Sequence, residues 1–204
     1  MTPGEPGPPV AEGRVRPLRA DARRNCERVL EAAESVLATE GVSVPIDEVA
    51  RRAGVGVGTV YRQFPTKEAL LEAIMLRRME KLVEDARSRT GAEDPGAAFF
   101  GFLEHLVDEA TRKRDLADAL AGAGIDLGER SASVGQELTG VVAELLDRAQ
   151  RSGAVRADVG MPELFGLVAG TCMAAERGFP IACAPQRMLG IVFDGLRPER
   201  RGGR

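Results

Sequence analysis

Apolar residues recur along this chain at intervals of three and four, the repeat of one helix face. Cys26, Val29, Leu30, Ala33, Val36 and Leu37 form the first such stripe, with Asp21 placed as its N-cap and Gly41 as the glycine beyond its end. Two very short segments follow. Ile46, Val49, Ala50 and Ala53 line the first, which opens on Pro45. Val57, Val60, Tyr61 and Phe64 line the second, which Pro65 stops, because the residue before a proline avoids helical geometry. Thr66 then caps a long helix carrying Leu70, Leu71, Ile74, Met75, Leu82 and Val83, expected to fade near Gly91. Beyond Pro95 the same spacing predicts helices near 95–112, 114–121, 131–152, 161–178 and 185–196, with loops around 122–128, 156–160 and 179–184. No internal repeat and no strand pattern is present, so the expected fold class is all-α.

The 204 residues, 44% hydrophobic and 29% charged, suffice for one large domain or two small ones, each with its own core. Aromatics make up 4%, so the core must be built from Leu, Val, Ala, Ile and Met. A net charge of -3 does not advertise nucleic acid, but local patches carry that signal. Residues 14–28 supply one, with Arg14, Arg16, Arg19, Arg23, Arg24 and Arg28 against Asp21 and Glu27. Residues 1–13 hold too much Pro and Gly for regular structure and are expected as a flexible tail.

Cys26, Cys172 and Cys183 lie far apart, without a Cys-x-x-Cys, which argues against a secreted disulfide scaffold. Residues 1–20 do not read as a signal peptide, and no apolar run approaches the ~20 residues of a membrane helix. A cytoplasmic protein is expected. His105 is the only histidine, so no histidine pair exists to hold a metal, and no glycine-rich loop ends in Lys-Ser or Lys-Thr. The reading is a protein without catalytic residues, cofactor or metal, with His105 a core or pocket-lining residue and Cys172 a small buried hydrophobe.

The segment IDEVARRAGVGVGTVYRQF, residues 46–64, carries the chemistry. Two helices of about two turns flank Ala-Gly-Val, the spacing of a helix-turn-helix. Ala50 and Ala53 are small enough for the second helix to cross closely over the first. Gly54 supplies the positive φ of a sharp turn, and Val55, Val60 and Phe64 fill the wedge. The other face keeps Gly56, Gly58, Thr59, Arg62 and Gln63. Its small residues admit a duplex backbone, and Thr59, Arg62 and Gln63 have the length to reach base edges.

The run AGVGVGTVYRQFPTKEALLEAI resembles the DNA-binding signature of the TetR family of bacterial regulators, over about residues 22–75. The resemblance implies that residues 57–63 are the recognition helix, that Thr59 and Tyr61 contact phosphates or nearby base edges, and that Lys67 clamps a phosphate. It places Arg62 and Gln63 where family members vary their readout, and adds Val57 and Gly58 to the DNA-facing set. Arg19 and Arg23 of the basic arm are further DNA candidates, through sequence-independent, salt-sensitive contact. The chain departs from the family pattern in having Gly56 where Ser or Thr is common, Val57 where Lys or Arg is common, and Pro45 where Thr is frequent.

The same resemblance implies a division into a basic arm at 1–20, a helix-turn-helix domain at 21–66, a helical sensing and dimerisation domain at 67–197, and a tail at 198–204. Candidate pocket liners are Phe99, Phe102, Leu103, His105, Leu106, Phe165, Val168, Cys172 and Met173. Candidate dimer contacts are Leu164, Leu167, Thr171 and Ile191. The expected protein is a homodimeric repressor, released from a palindromic operator in double-stranded DNA by a small hydrophobic or amphipathic effector. An activator of the same fold and a helical scaffold without DNA-dependent function are the alternatives.

Overall fold

A computed structural model describes the backbone of residues 15–112, 128–176 and 185–198, with side chains over 21–110, 130–174 and 186–198. The tail expected at 1–13, the helix expected at 114–121, the loops expected around 122–128 and 179–184, Cys183 and residues 199–204 lie outside that description, as does the Arg19 side chain. The described residues form helices and no strand. In chain order these are α1 (Val15–Glu40), α2 (Ile46–Ala53), α3 (Val57–Gln63), α4 (Lys67–Arg89), α5 (Pro95–Arg112), α6 (Gly128–Arg151), α7 (Met161–Glu176) and α8 (Pro185–Leu196). Two compact units divide between Leu70 and Leu71, within the span of α4. The architecture is all-α.

In the N-terminal unit α1, α2 and α3 enclose Val29, Ala33, Val36, Ile46, Val49, Ala50, Ala53, Val60 and Phe64. Burying Val60 completely contributes about 1.5–3 kcal/mol by itself. Asp21 is not the N-cap of α1, which already runs from Val15. Pro17 falls in the opening turn, where a missing N–H costs nothing, and Arg, Leu and Ala around it favour helix. Asp21 instead pairs with Arg24 along the helix surface. Gly41 adopts φ +79 just beyond α1, and Gly54 adopts φ +65 between α2 and α3. With that turn the Val55 N–H reaches back to the Ala50 carbonyl at 3.1 Å. Thr66 caps α4, its Oγ1 accepting the Ala69 N–H at 3.1 Å.

The C-terminal unit packs Phe99, Phe102, Leu103 and Val107 of α5 against Val142, Leu145, Leu146 and Ala149 of α6. Leu164 and Val168 of α7 join this core, as do Leu189, Phe193 and Leu196 of α8. Asp94 caps α5, accepting the Ala97 N–H at 2.9 Å, with Pro95 at the first helical position. The connection from α6 to α7 is tied internally. Gln150 donates to the carbonyls of Arg156 and Val159 at 3.0 and 2.8 Å, and the Glu163 carboxylate takes the Gly160 N–H at 3.0 Å. Phe100 lies edge-on to Phe99 and beside Phe193, with the Arg197 guanidinium 5.0 Å above its ring. No described helix is long and apolar enough to cross a membrane.

Candidate nucleic-acid interface

The amphipathic pattern of α3 fixes what the N-terminal unit presents. Val60 points inward at 0% exposure and Phe64 closes the helix at 7%. The residues on the opposite side, Val57, Gly58, Tyr61 and Arg62, are exposed, with Val57 at 37% and Tyr61 at 46%. No atom stands within 4 Å of where a Cβ on Gly58 would lie, and its φ is not positive. Nothing inside the protein therefore asks for glycine there.

The polar members of the predicted set differ in what they can reach. Arg62 folds back along α3, its Nε donating to the Gly58 carbonyl at 3.1 Å and its Nη2 to Thr59 Oγ1 at 3.3 Å. Gln63 faces α1 instead of the outside. Its Nε2 donates to the Ala22 carbonyl at 3.2 Å, and its Oε1 is buried without a hydrogen-bond partner. The cause is the crossing of α1 over the end of α3, which the helix-turn-helix sequence does not contain. Lys67 is half-buried at the start of α4. Arg23 is exposed and pairs with Glu27 at 3.2 Å.

The other arginines of the unit are partly engaged. Glu48 accepts Arg51 at 2.8 and 2.6 Å and Arg52 at 2.8 Å, and Arg52 also pairs with Glu40. The hydrogen bonds from Arg51 and then Arg52 hold the Glu48 carboxyl down at about 2. Arg28 reaches toward the turn, its Nη2 2.8 Å from where a Gly54 Cβ would stand. Arg28, Arg62 and Lys67 form no ion pair among the described residues.

In the C-terminal unit the nine predicted pocket liners separate. Phe99, Phe102, Leu103 and Val168 are buried in the core, Leu106 and Cys172 pack at its edge, and Phe165 and Met173 are exposed. His105 alone among them borders the cleft of about 590 Å³ between α5 and α8, together with Gly101, Glu104, Val107, Asp108, Gln186 and Leu189. Gly101, Glu104, His105 and Asp108 follow one another at helical spacing, so a polar stripe beside the apolar one was the signal for this cleft. The His105 Nδ1 lies 2.9 Å from Asp85 Oδ2, which also accepts Arg89 Nε at 3.0 Å. Burial opposes ionisation of Asp85, but these two hydrogen bonds prevail and hold its carboxyl below the ordinary value.

The predicted dimer contacts separate in the same way. Leu164 and Thr171 are buried in their own chain at 1% and 3%, with the Thr171 hydroxyl donating to the Leu167 carbonyl, so neither side chain faces outward. Leu167 and Ile191 are exposed at 41% and 66%.

A compact three-helix unit with a tight glycine turn and an exposed second helix, joined to a separate helical unit, defines a helix-turn-helix transcriptional regulator. Residues 29–74 match the family model of bacterial regulatory proteins of the tetR family, and residues 94–198 match that of the transcriptional regulator SbtR-like C-terminal domain. A TetR transcription regulatory protein from Mycobacterium vanbaalenii is 43% identical, with a TM-score of 0.72, over 89% of this chain and 100% of its own. A TetR transcriptional regulator from Streptomyces coelicolor is 31% identical, with a TM-score of 0.68, over 85% and 99%. The HTH-type transcriptional regulator SrpR of Pseudomonas putida is 23% identical over 190 residues, 91% of this chain and 81% of SrpR. More distant neighbours share the fold, among them RolR in complex with resorcinol (TM-score 0.55, 21% identity) and a SmeT–triclosan complex (0.59, 19%). The chain belongs to the TetR family of transcriptional regulators. It is a DNA-binding regulator and not an enzyme, which sets aside the helical scaffold alternative.

Proposed function

We propose that this chain is a one-component repressor that binds a pseudo-palindromic operator as a homodimer and leaves it when a small molecule binds the C-terminal unit. The observation that carries the reading is α3, where Val60 and Phe64 anchor the inner side while Val57, Gly58 and Tyr61 stay bare on the outer one. In this reading α3 enters the major groove, and Tyr61 and Lys67 bind phosphates that set its register. One short helix reads few bases, so two copies related by a two-fold axis are needed, with half-sites about one turn of duplex apart. Phe165, Leu167, Met173 and Ile191, exposed on α7 and α8 beside Gly166, Ala169, Gly170 and Gly190, supply an apolar surface for that pairing.

The effector lowers operator affinity by binding better to a dimer whose N-terminal units do not match the operator. The RolR–resorcinol and SmeT–triclosan complexes support a small-molecule effector for this fold. The cleft at His105 is its proposed place. The test is fluorescence anisotropy on DNA upstream of the protein's own coding sequence, at several salt concentrations, beside a Tyr61→Ala/Lys67→Ala double variant. A dissociation constant on the order of 10⁻⁸ M, a steep fall with salt and loss of binding in the variant are expected. Weak binding, indifferent to sequence and to the double substitution, overturns the assignment of α3.

A further inference from the structure

We propose that Val57 reads the C5-methyl of a thymine, so that each half-site is recognised through an apolar contact and not through guanine- or adenine-directed hydrogen bonds from Arg62 and Gln63. The inference rests on α3 being the helix that enters the major groove. Val57 is the one aliphatic side chain on the exposed side of α3, at 37% exposure, and is not among the buried residues that include Val60 and Phe64. Beside it Gly58 leaves open space, so the helix axis can come close enough for a side chain as short as valine to touch a base edge. Tyr61 lies one turn further along the same side.

The two residues long enough for bidentate readout are held by contacts within the chain, Gln63 toward α1 and Arg62 along α3 itself. An adenine-reading glutamine needs both amide atoms outward. In Gln63 the NH₂ is committed to the Ala22 carbonyl and the oxygen is buried. A guanine-reading arginine needs its fork outward, and Arg62 holds its guanidinium against Gly58 and Thr59. Val57 gives that face an apolar contact beside Gly58, and the apolar feature of the major groove is the thymine methyl.

The test begins from a duplex selected by the full-length protein from a randomised library, measured by anisotropy. Each thymine is then replaced by deoxyuridine, which deletes one methyl and leaves base pairing intact. One or two positions per half-site should weaken binding about fourfold, the worth of about 0.8 kcal/mol for one carbon taken out of water. Val57→Ala should weaken binding to the thymine duplex and abolish the uridine effect at that position alone, with helicity and melting preserved. Uridine indifference throughout a tightly bound duplex, or a uridine effect unchanged in Val57→Ala, refutes the role of Val57 while leaving α3 as the recognition helix. Failure to select any duplex, or full binding by Tyr61→Ala/Lys67→Ala, sinks both.

Discussion

Replacing Gly58 by alanine should move stability and DNA affinity in opposite directions. Glycine in a helix costs about 0.5–1 kcal/mol relative to alanine, because the unfolded chain loses more freedom when it folds. Gly58 lies in the first turn of α3, where part of that penalty applies, so a gain of about 0.5 kcal/mol is expected. The added Cβ meets nothing within 4 Å and the backbone needs no positive φ, so no clash offsets the gain. For the N-terminal unit, Met1–Leu70, that gain raises Tm by about 2–4 °C. Against DNA the sign reverses. A methyl in this open notch of the face holds the helix off the groove, and every contact in that half-site lengthens.

A single mismatched base pair costs about 1–3 kcal/mol. A comparable penalty at each half-site corresponds to at least a tenfold loss for the dimer, at about 1.4 kcal/mol per decade. Circular-dichroism melting and operator anisotropy on one preparation measure both quantities. Raised Tm with unchanged affinity would refute the close-approach argument. Lowered Tm would refute the claim that the space around Gly58 is open.

Four further outcomes are expected. Gly54→Ala should cost the N-terminal unit about 1–2 kcal/mol in urea unfolding, because φ +65 is strained for alanine, and Arg28 must also swing aside. The folded Glu48 carboxyl titrates at about 2, below its ordinary 4.5, so its contribution is complete above about 4.5 and disappears as pH falls toward 2. Glu48→Gln should therefore flatten the acid-unfolding profile of α2 within that window, as read by helicity against pH. Phe102→Ala, at a fully buried site, should destabilise the C-terminal unit by about 3–5 kcal/mol in denaturant melts. Leu167→Asp with Ile191→Asp should convert a dimer to a monomer in sedimentation velocity, whereas a dimer that persists would place the interface elsewhere.

How far these features could be read from sequence depends on whether the decisive partner is local. Ala50, Ala53, Val60 and Phe64 are buried and Gly54 turns the chain between them, all within fifteen residues, and their sizes and φ requirements are visible in the residue types. The start of α1 was less legible, because a proline in an opening helical turn looks the same in sequence as a proline in a tail. The orientation of Gln63 was not legible for a different reason. It sits at the border of the outer face, and its partner Ala22 lies 41 positions away on another helix. On α7 nearly every residue is apolar, so the inward set of Leu164, Val168 and Thr171 differs from the outward Phe165, Leu167 and Met173 only by phase. That phase is set by what α5 and α8 place beneath it. Phe99 and Phe102 likewise read equally well as cavity wall or as filling until their neighbours are known.

A DNA-binding regulator with a net charge of -3 is not a contradiction, since phosphates respond to charge within about 8 Å at physiological salt. What matters is how the arginines near α3 are occupied before DNA arrives. Arg23, Arg24, Arg51 and Arg52 each have a carboxylate partner, at exposed positions where such pairs are worth about 0–1 kcal/mol. A phosphate can displace those partners at little cost, but the displaced carboxylate remains nearby and repels the same phosphate. Each of these arginines thus contributes less net attraction than Arg28, Arg62 or Lys67, which have no ion pair to give up among the described residues. The logarithm of affinity falls by about 0.9 per phosphate neutralised for each logarithmic step in salt. Contact of these cations with phosphates makes the slope steep but carries no base sequence. Discrimination then falls on short-range contact at the one place where α3 is bare, which is why a small residue at 58 and an apolar one at 57 bear on specificity more directly than the arginines do.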